Sequence, residues 1–66
     1  MQQSVVMMRL PEVIRITGLG RDSIYSLARA GDFPKPRKLT ARASAWRSDE
    51  VSAWIEARPK ARLGTT

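Results

Sequence analysis

Glycines at positions 18, 20 and 31 bracket a short segment, Arg21-Asp22-Ser23-Ile24-Tyr25-Ser26-Leu27-Ala28-Arg29-Ala30, that holds neither glycine nor proline. Gly18 and Gly20 allow a sharp turn before it, and Gly31 stands where a left-handed helix cap belongs. Ile24, Leu27 and Ala28 recur at i, i+3 and i+4, which predicts a helix over 21–30 with one apolar face. Asp22, Ser26 and Arg29 point the opposite way, with Tyr25 and Arg21 on one flank. Upstream, Leu10, Val13 and Ile14 form a second apolar set. Pro11 and Glu12 suit a helix start, so a first helix is expected over 11–17. Two short helices joined by a tight glycine turn make a helix-turn-helix, whose second helix is presented outward.

The segments around this pair complete a domain. Val5 to Leu10 reads as a short strand or an arm laid across the core. Pro34 and Pro36 impose an extended connector after the second helix. Strands are expected at Arg37–Thr40 and Ala45–Arg47, around a loop at 41–44 that lacks an Asn-Gly or Asp-Gly turn signal. A hairpin after a helix-turn-helix is a wing. Ser48 is a good N-cap for a third helix, and Asp49 and Glu50 favour its positive end. Val51, Trp54, Ile55 and Arg58 follow helical spacing up to Pro59. The expected fold is small α+β, mainly α: a winged helix-turn-helix at 8–58, with a flexible arm at 1–7 and a flexible basic tail at 59–66. Its expected core is Leu10, Val13, Ile14, Leu19, Ile24, Leu27, Ala28, Phe33, Leu39, Trp46, Val51, Trp54 and Ile55.

Composition narrows the function. Among 66 residues there is no cysteine and no histidine, so the commonest general base, the thiolate nucleophile and the usual transition-metal ligands are all missing. With no convergent pair of carboxylates at readable spacing, an enzyme is not expected, and neither is a metal or other cofactor. No apolar run is long enough to span a membrane, and a cytoplasmic, nucleoid-associated protein is expected. Twelve Lys and Arg against six Asp and Glu leave a net charge of +6, which points to a polyanionic partner. Between Lys35 and Arg47 the chain carries five basic residues and no acid.

The order MRLPEVIRITGLGRDSIYSLARAGDFPKP, a basic hairpin ending Ala45-Trp46-Arg47, and then SDEVSAWIEAR resembles the AlpA-type regulators of phages and prophages. These in turn resemble the excisionase and MerR-like winged helix-turn-helix domains. The resemblance runs from about Met8 to Arg58 and rests most on Gly18-Leu19, Ile24-Tyr25, the stretch from Gly31 to Pro36, Trp46, Glu50-Val51 and Trp54-Ile55. Gly20, where the family usually carries a serine cap, and Asp22, where it carries a neutral residue, depart from the pattern. The resemblance implies a small DNA-binding factor for phage or mobile-element genes. Its second helix would lie in the major groove and its hairpin against the backbone or minor groove.

On this reading Arg21, Asp22, Tyr25, Ser26 and Arg29 are the candidates to meet double-stranded DNA from the second helix, by base readout or phosphate contact. In the wing, Lys35, Arg37, Lys38, Arg42 and Arg47 would line the backbone, with Arg42 at the tip best placed for the minor groove. Arg15, on the first helix, is a further candidate for a phosphate. Against these stand blander readings: a solvated helix face with Arg29 paired to Asp32, and a solvated charge run. One small domain reads few base pairs, so further copies on adjacent sites are expected partners. An integrase or RNA polymerase is another. No small-molecule partner is expected, because no ligand-sensing segment is visible. The alternatives are an excisionase that bends DNA for an integrase, and an adaptor that binds protein through Trp54 and the acidic third helix. Single-stranded nucleic acid is disfavoured, since stacking platforms need several exposed aromatics.

Overall fold

A computed structural model describes residues 4–63. Residues 1–3 of the expected arm and 64–66 of the expected tail lie outside them. The elements run β1 (Met7–Met8), α1 (Leu10–Thr17), α2 (Arg21–Ala30), β2 (Arg37–Thr40), β3 (Ala43–Arg47) and α3 (Ser48–Glu56). The strands form one antiparallel sheet in the order β1-β3-β2. This is a winged helix-turn-helix. None of the described helices is long and apolar enough to cross a membrane.

The glycines set the helix ends. Gly18 takes φ 77° and donates its N–H to the Ile14 carbonyl at 2.8 Å, closing α1. Thr17 contributes to the turn as well: its hydroxyl donates to the Val13 carbonyl and accepts from the Leu19 N–H. Gly31 takes φ 84°, its N–H bonds to the Ala28 carbonyl, and the next N–H, of Asp32, bonds to the Leu27 carbonyl. That pair of bonds is a Schellman cap. Gly20 is different. It precedes α2 at φ −81° and ψ 169°, extended backbone that any residue adopts. A Cβ at Gly31 meets no atom within 4 Å, so its cost is entirely backbone. Gly31→Ala is therefore expected to destabilise the domain by about 1–2 kcal/mol. Gly20→Ser is expected to stabilise it by a few tenths of a kcal/mol through a better cap. Thermal unfolding followed by circular dichroism measures both.

The core lies where both helices of the pair meet β3 and α3. Val13, Ile24, Ala28, Phe33, Trp46 and Val51 are buried, with Leu10, Ile14, Leu19, Leu27, Trp54 and Ile55 packed against them. Three residues differ from expectation. Met8 is buried because β1 pairs with β3, setting Met8 opposite Trp46 and on the same face. Ala45 is buried too, under the opposite face of β3. Leu39 is not in the core; it is 47% exposed. Arg37 and Lys38 lie opposite Ala45 and Ser44, whereas Thr40 lies opposite Ala43, so Leu39 is the extra residue of a β-bulge on an edge strand.

The same bulge explains the turn. β3 begins at Ala43, two residues earlier than expected, which leaves only Ala41-Arg42 between the strands. Among the described residues only Gly18 and Gly31 have positive φ, so the two-residue turn is not of the primed type that matches strand twist. The bulge takes up the mismatch, and the Thr40 hydroxyl accepts the Arg42 N–H at 3.1 Å.

Ser48 is not the cap of α3. It is the first helical residue, preceded by Arg47 without a side-chain cap. Its hydroxyl instead accepts the Val6 N–H at 2.9 Å, and its own N–H donates to the Val6 carbonyl at 2.8 Å. Residues 6–8 are thereby tied to the start of α3 and to β3. Two helix limits also shift: α1 begins at Leu10, with Pro11 one place further in, and α3 ends at Glu56, short of Pro59.

Candidate nucleic-acid interface

Burial of Ile24 and Ala28 fixes which way α2 turns its polar side chains. Arg21, Asp22, Ser26 and Arg29 are exposed and Tyr25 is half-buried. The Tyr25 ring rests on Trp46, centroid to centroid 5.9 Å at a tilted 55°. The Arg21 guanidinium lies over the same Tyr25 ring at 5.6 Å. Trp46 is itself fixed, its Nε1–H donating to the Pro34 carbonyl at 2.8 Å. Arg21 and Tyr25 of α2 therefore stand on an aromatic base that belongs to the sheet.

The five helix candidates separate into two groups. Arg21 and Tyr25 line a cleft of about 450 Å³ that also takes in Arg9, Arg42 and Ser44. Tyr25 and Arg29 line a second, of about 400 Å³, with Lys35 and Pro36. Tyr25 is common to both, so the wing side of α2 is one continuous strip from Arg21 to Arg29. None of the residues lining either cleft is acidic. Asp22 and Ser26 lie elsewhere, sharing a shallow surface with Ser23, Leu19 and Leu27.

Sheet register separates the wing candidates in the same manner. Lys38 is opposite Ser44, and Ser44 shares a face of β3 with Trp46, so Lys38 projects on the cleft side. Arg37 is opposite Ala45, on the other face, where it pairs with Glu50 of α3 at 2.7 Å. Arg47 alternates onto that face too and makes two bonds to Asp49, at 2.9 and 2.8 Å. These bonds hold the Asp49 carboxyl below the usual carboxylate range. Two of the five basic residues from Lys35 to Arg47, Arg37 and Arg47, are therefore paired in space with acids that follow the run in sequence. Arg15 is likewise paired, with Glu12 one turn away on α1. Arg21, Arg29, Lys35, Lys38 and Arg42 take part in no ion pair among the described residues, and Arg29 does not pair with Asp32.

Arg9 is the residue that sequence reasoning passed over. It precedes α1 with its carbonyl accepting the Glu12 and Val13 N–H groups, and it lines the cleft because β1 is docked on β3. Nothing local to the Arg9-Leu10-Pro11 stretch signals this. A third surface has the opposite character: an open groove of about 840 Å³ between the end of α2 and α3, lined by Phe33, Trp54 and Arg58 together with Asp32 and Glu50. There Trp54 packs edge-on against Phe33 at 4.8 Å, donates to the Asp32 carbonyl, and lies under the Arg58 guanidinium at 4.3 Å.

Similarity to known proteins bears on this arrangement. Residues 6–59 match the family model described as prophage CP4-57 regulatory protein (AlpA). The chain is 43% identical over 51 residues to a protein of Enterobacteria phage P4 described as the uncharacterized protein ORF88, covering 77% of this chain and 58% of that one. It is 32% identical over 65 residues to the DNA-binding transcriptional activator AlpA of Escherichia coli (strain K12), covering 89% of this chain and 93% of AlpA. The chain thus spans somewhat over half of the phage P4 protein and nearly all of AlpA. With the matched region running from β1 through α3, the chain belongs to the AlpA family of phage and prophage regulatory proteins.

Proposed function

We propose that this protein is a sequence-specific double-stranded DNA-binding regulator of phage or mobile-element genes. The observation that carries the reading is the acid-free strip on the wing side of α2, where Arg21, Tyr25 and Arg29 of the helix meet Lys35 of the connector and Arg42 of the hairpin. The E. coli relative described as a DNA-binding transcriptional activator supports it. α2 lies in the major groove, Arg29 reads a base edge, and Asp22 and Ser26 face the bases or their edge waters. Lys35, Lys38 and Arg42 take backbone phosphates, with Arg42 reaching the minor groove. Arg37 and Arg47 brace the hairpin on α3 instead. Such a protein acts at the nucleoid, in the cytoplasm.

The test is selection from random double-stranded fragments, with sequencing of what is retained, at low and near-physiological salt. One short enriched motif is expected. Arg29→Ala is expected to lose preference at a single position, about 1–3 kcal/mol of discrimination, and Arg42→Ala to weaken all sequences alike. No retention at either salt would overturn the reading and turn attention to the Trp54 groove as a protein-docking surface.

A further inference from the structure

The cleft at the wing end of α2 is lined by three arginines from three parts of the fold: Arg9 before α1, Arg21 at the start of α2, and Arg42 at the hairpin tip. All three residues are exposed, and none is in an ion pair among the described residues. Three like charges brought to one concavity without an acid repel one another, and an anion between them reverses the sign of that energy. Neutral hydroxyl groups stand at the same wall, on Ser44 and Tyr25. Leu10 and Arg21, the first residues of α1 and α2, both line the cleft, and neither helix has a side-chain cap.

We infer that Arg9, Arg21 and Arg42 form a seat for one phosphodiester of the DNA backbone, a site that rests on the DNA-binding reading above. The bidentate geometry of guanidinium suits phosphate oxygens, and three forks from three directions suit a tetrahedral group better than a planar carboxylate. One phosphate held there fixes α2 and the wing tip to the same point of the duplex. Arg9 carries no base information; it positions α2, which does.

Arg9→Gln, purified alongside the unsubstituted protein, tests the seat. Affinity for the selected DNA is measured against salt. Single methylphosphonate linkages, each removing one backbone charge, are then walked along the site. The expected result is a reduced salt slope, an unchanged enriched motif, and one linkage whose neutralisation weakens the unsubstituted protein more than it weakens Arg9→Gln. Arg15→Gln, at a residue already paired to Glu12, is expected to keep the full slope. Thermal unfolding of Arg9→Gln is expected to match the unsubstituted protein. DNA binding with an unchanged slope in Arg9→Gln, or with no linkage that couples to it, overturns the seat and leaves the DNA reading standing. Absence of DNA binding by the unsubstituted protein overturns both.

Discussion

Trp46→Ala is expected to lower the midpoint of thermal unfolding by more than about 15 °C and to leave much of the chain unfolded at 37 °C. Trp46 is 1% exposed and is the largest fully buried side chain. It faces Met8 across the sheet, supports the Tyr25 ring, and satisfies the Pro34 carbonyl. Removing a buried tryptophan costs about 3–5 kcal/mol for the lost transfer energy and the cavity. Folded domains hold about 0.05–0.15 kcal/mol per residue, so a chain of 66 residues has about 3–10 kcal/mol in all. For a domain of this size each kcal/mol moves the midpoint by about 4–8 °C. Trp46→Phe, which keeps a ring but loses the N–H, should fall between. Trp54→Ala should cost less, since Trp54 is only half-buried. A loss below about 5 °C in Trp46→Ala would mean that the core closes over the gap, and the account of β3 as the platform for Tyr25 would fail with it.

DNA affinity is expected to fall by roughly one to two orders of magnitude between about 50 and 200 mM salt. With Arg9, Arg21 and Arg42 sharing one phosphate and Lys35 and Lys38 taking one each, about three phosphates are neutralised, and each contributes about 0.9 to the logarithmic slope. Single alanine substitutions at Lys35 or Lys38 should each lower that slope by about one. Arg37→Ala and Arg47→Ala should leave it unchanged, because these side chains are engaged by Glu50 and Asp49 on the other face of the hairpin. Exposed ion pairs of this kind add little stability, so the two variants should also fold. Titration of a fluorescent duplex at four or five salt concentrations separates the two classes. Equal slope losses for Arg37 and Lys38 would show that strand alternation does not sort the wing.

What could be read from the sequence follows from the range of each signal. The limits of α2 follow from glycines and apolar spacing within a few residues of the helix, and the observed span is the expected one, Arg21–Ala30. Tryptophans at 46 and 54 announce a core by their size alone. Leu39 misled because its burial depends on a one-residue bulge, which the composition of Arg37–Thr40 does not mark. Ser48 looked like a helix cap, but its hydroxyl is used by Val6, forty-two positions earlier. Among the site candidates, the sequence supplied the side chains and the helix face. It could not separate Arg37 from Lys38, which needs the register, nor find Arg9, which needs β1 on β3. Nor could it show that Glu50 and Asp49 return to pair with Arg37 and Arg47.

The long reach of β1 also bears on the order in which the molecule assembles. α1, α2 and the hairpin each form from neighbours in the chain, so little loop entropy opposes them. Met8 against Trp46 and Val6 against Ser48 close nearly the whole length of the domain through a strand of only two residues. Contacts that are so distant in sequence and so few are slow to be rewarded. Folding is therefore expected to start from the middle of the domain and to work outward. The segment before α1 is then the last to find its place, and Arg9 arrives at the cleft only with it.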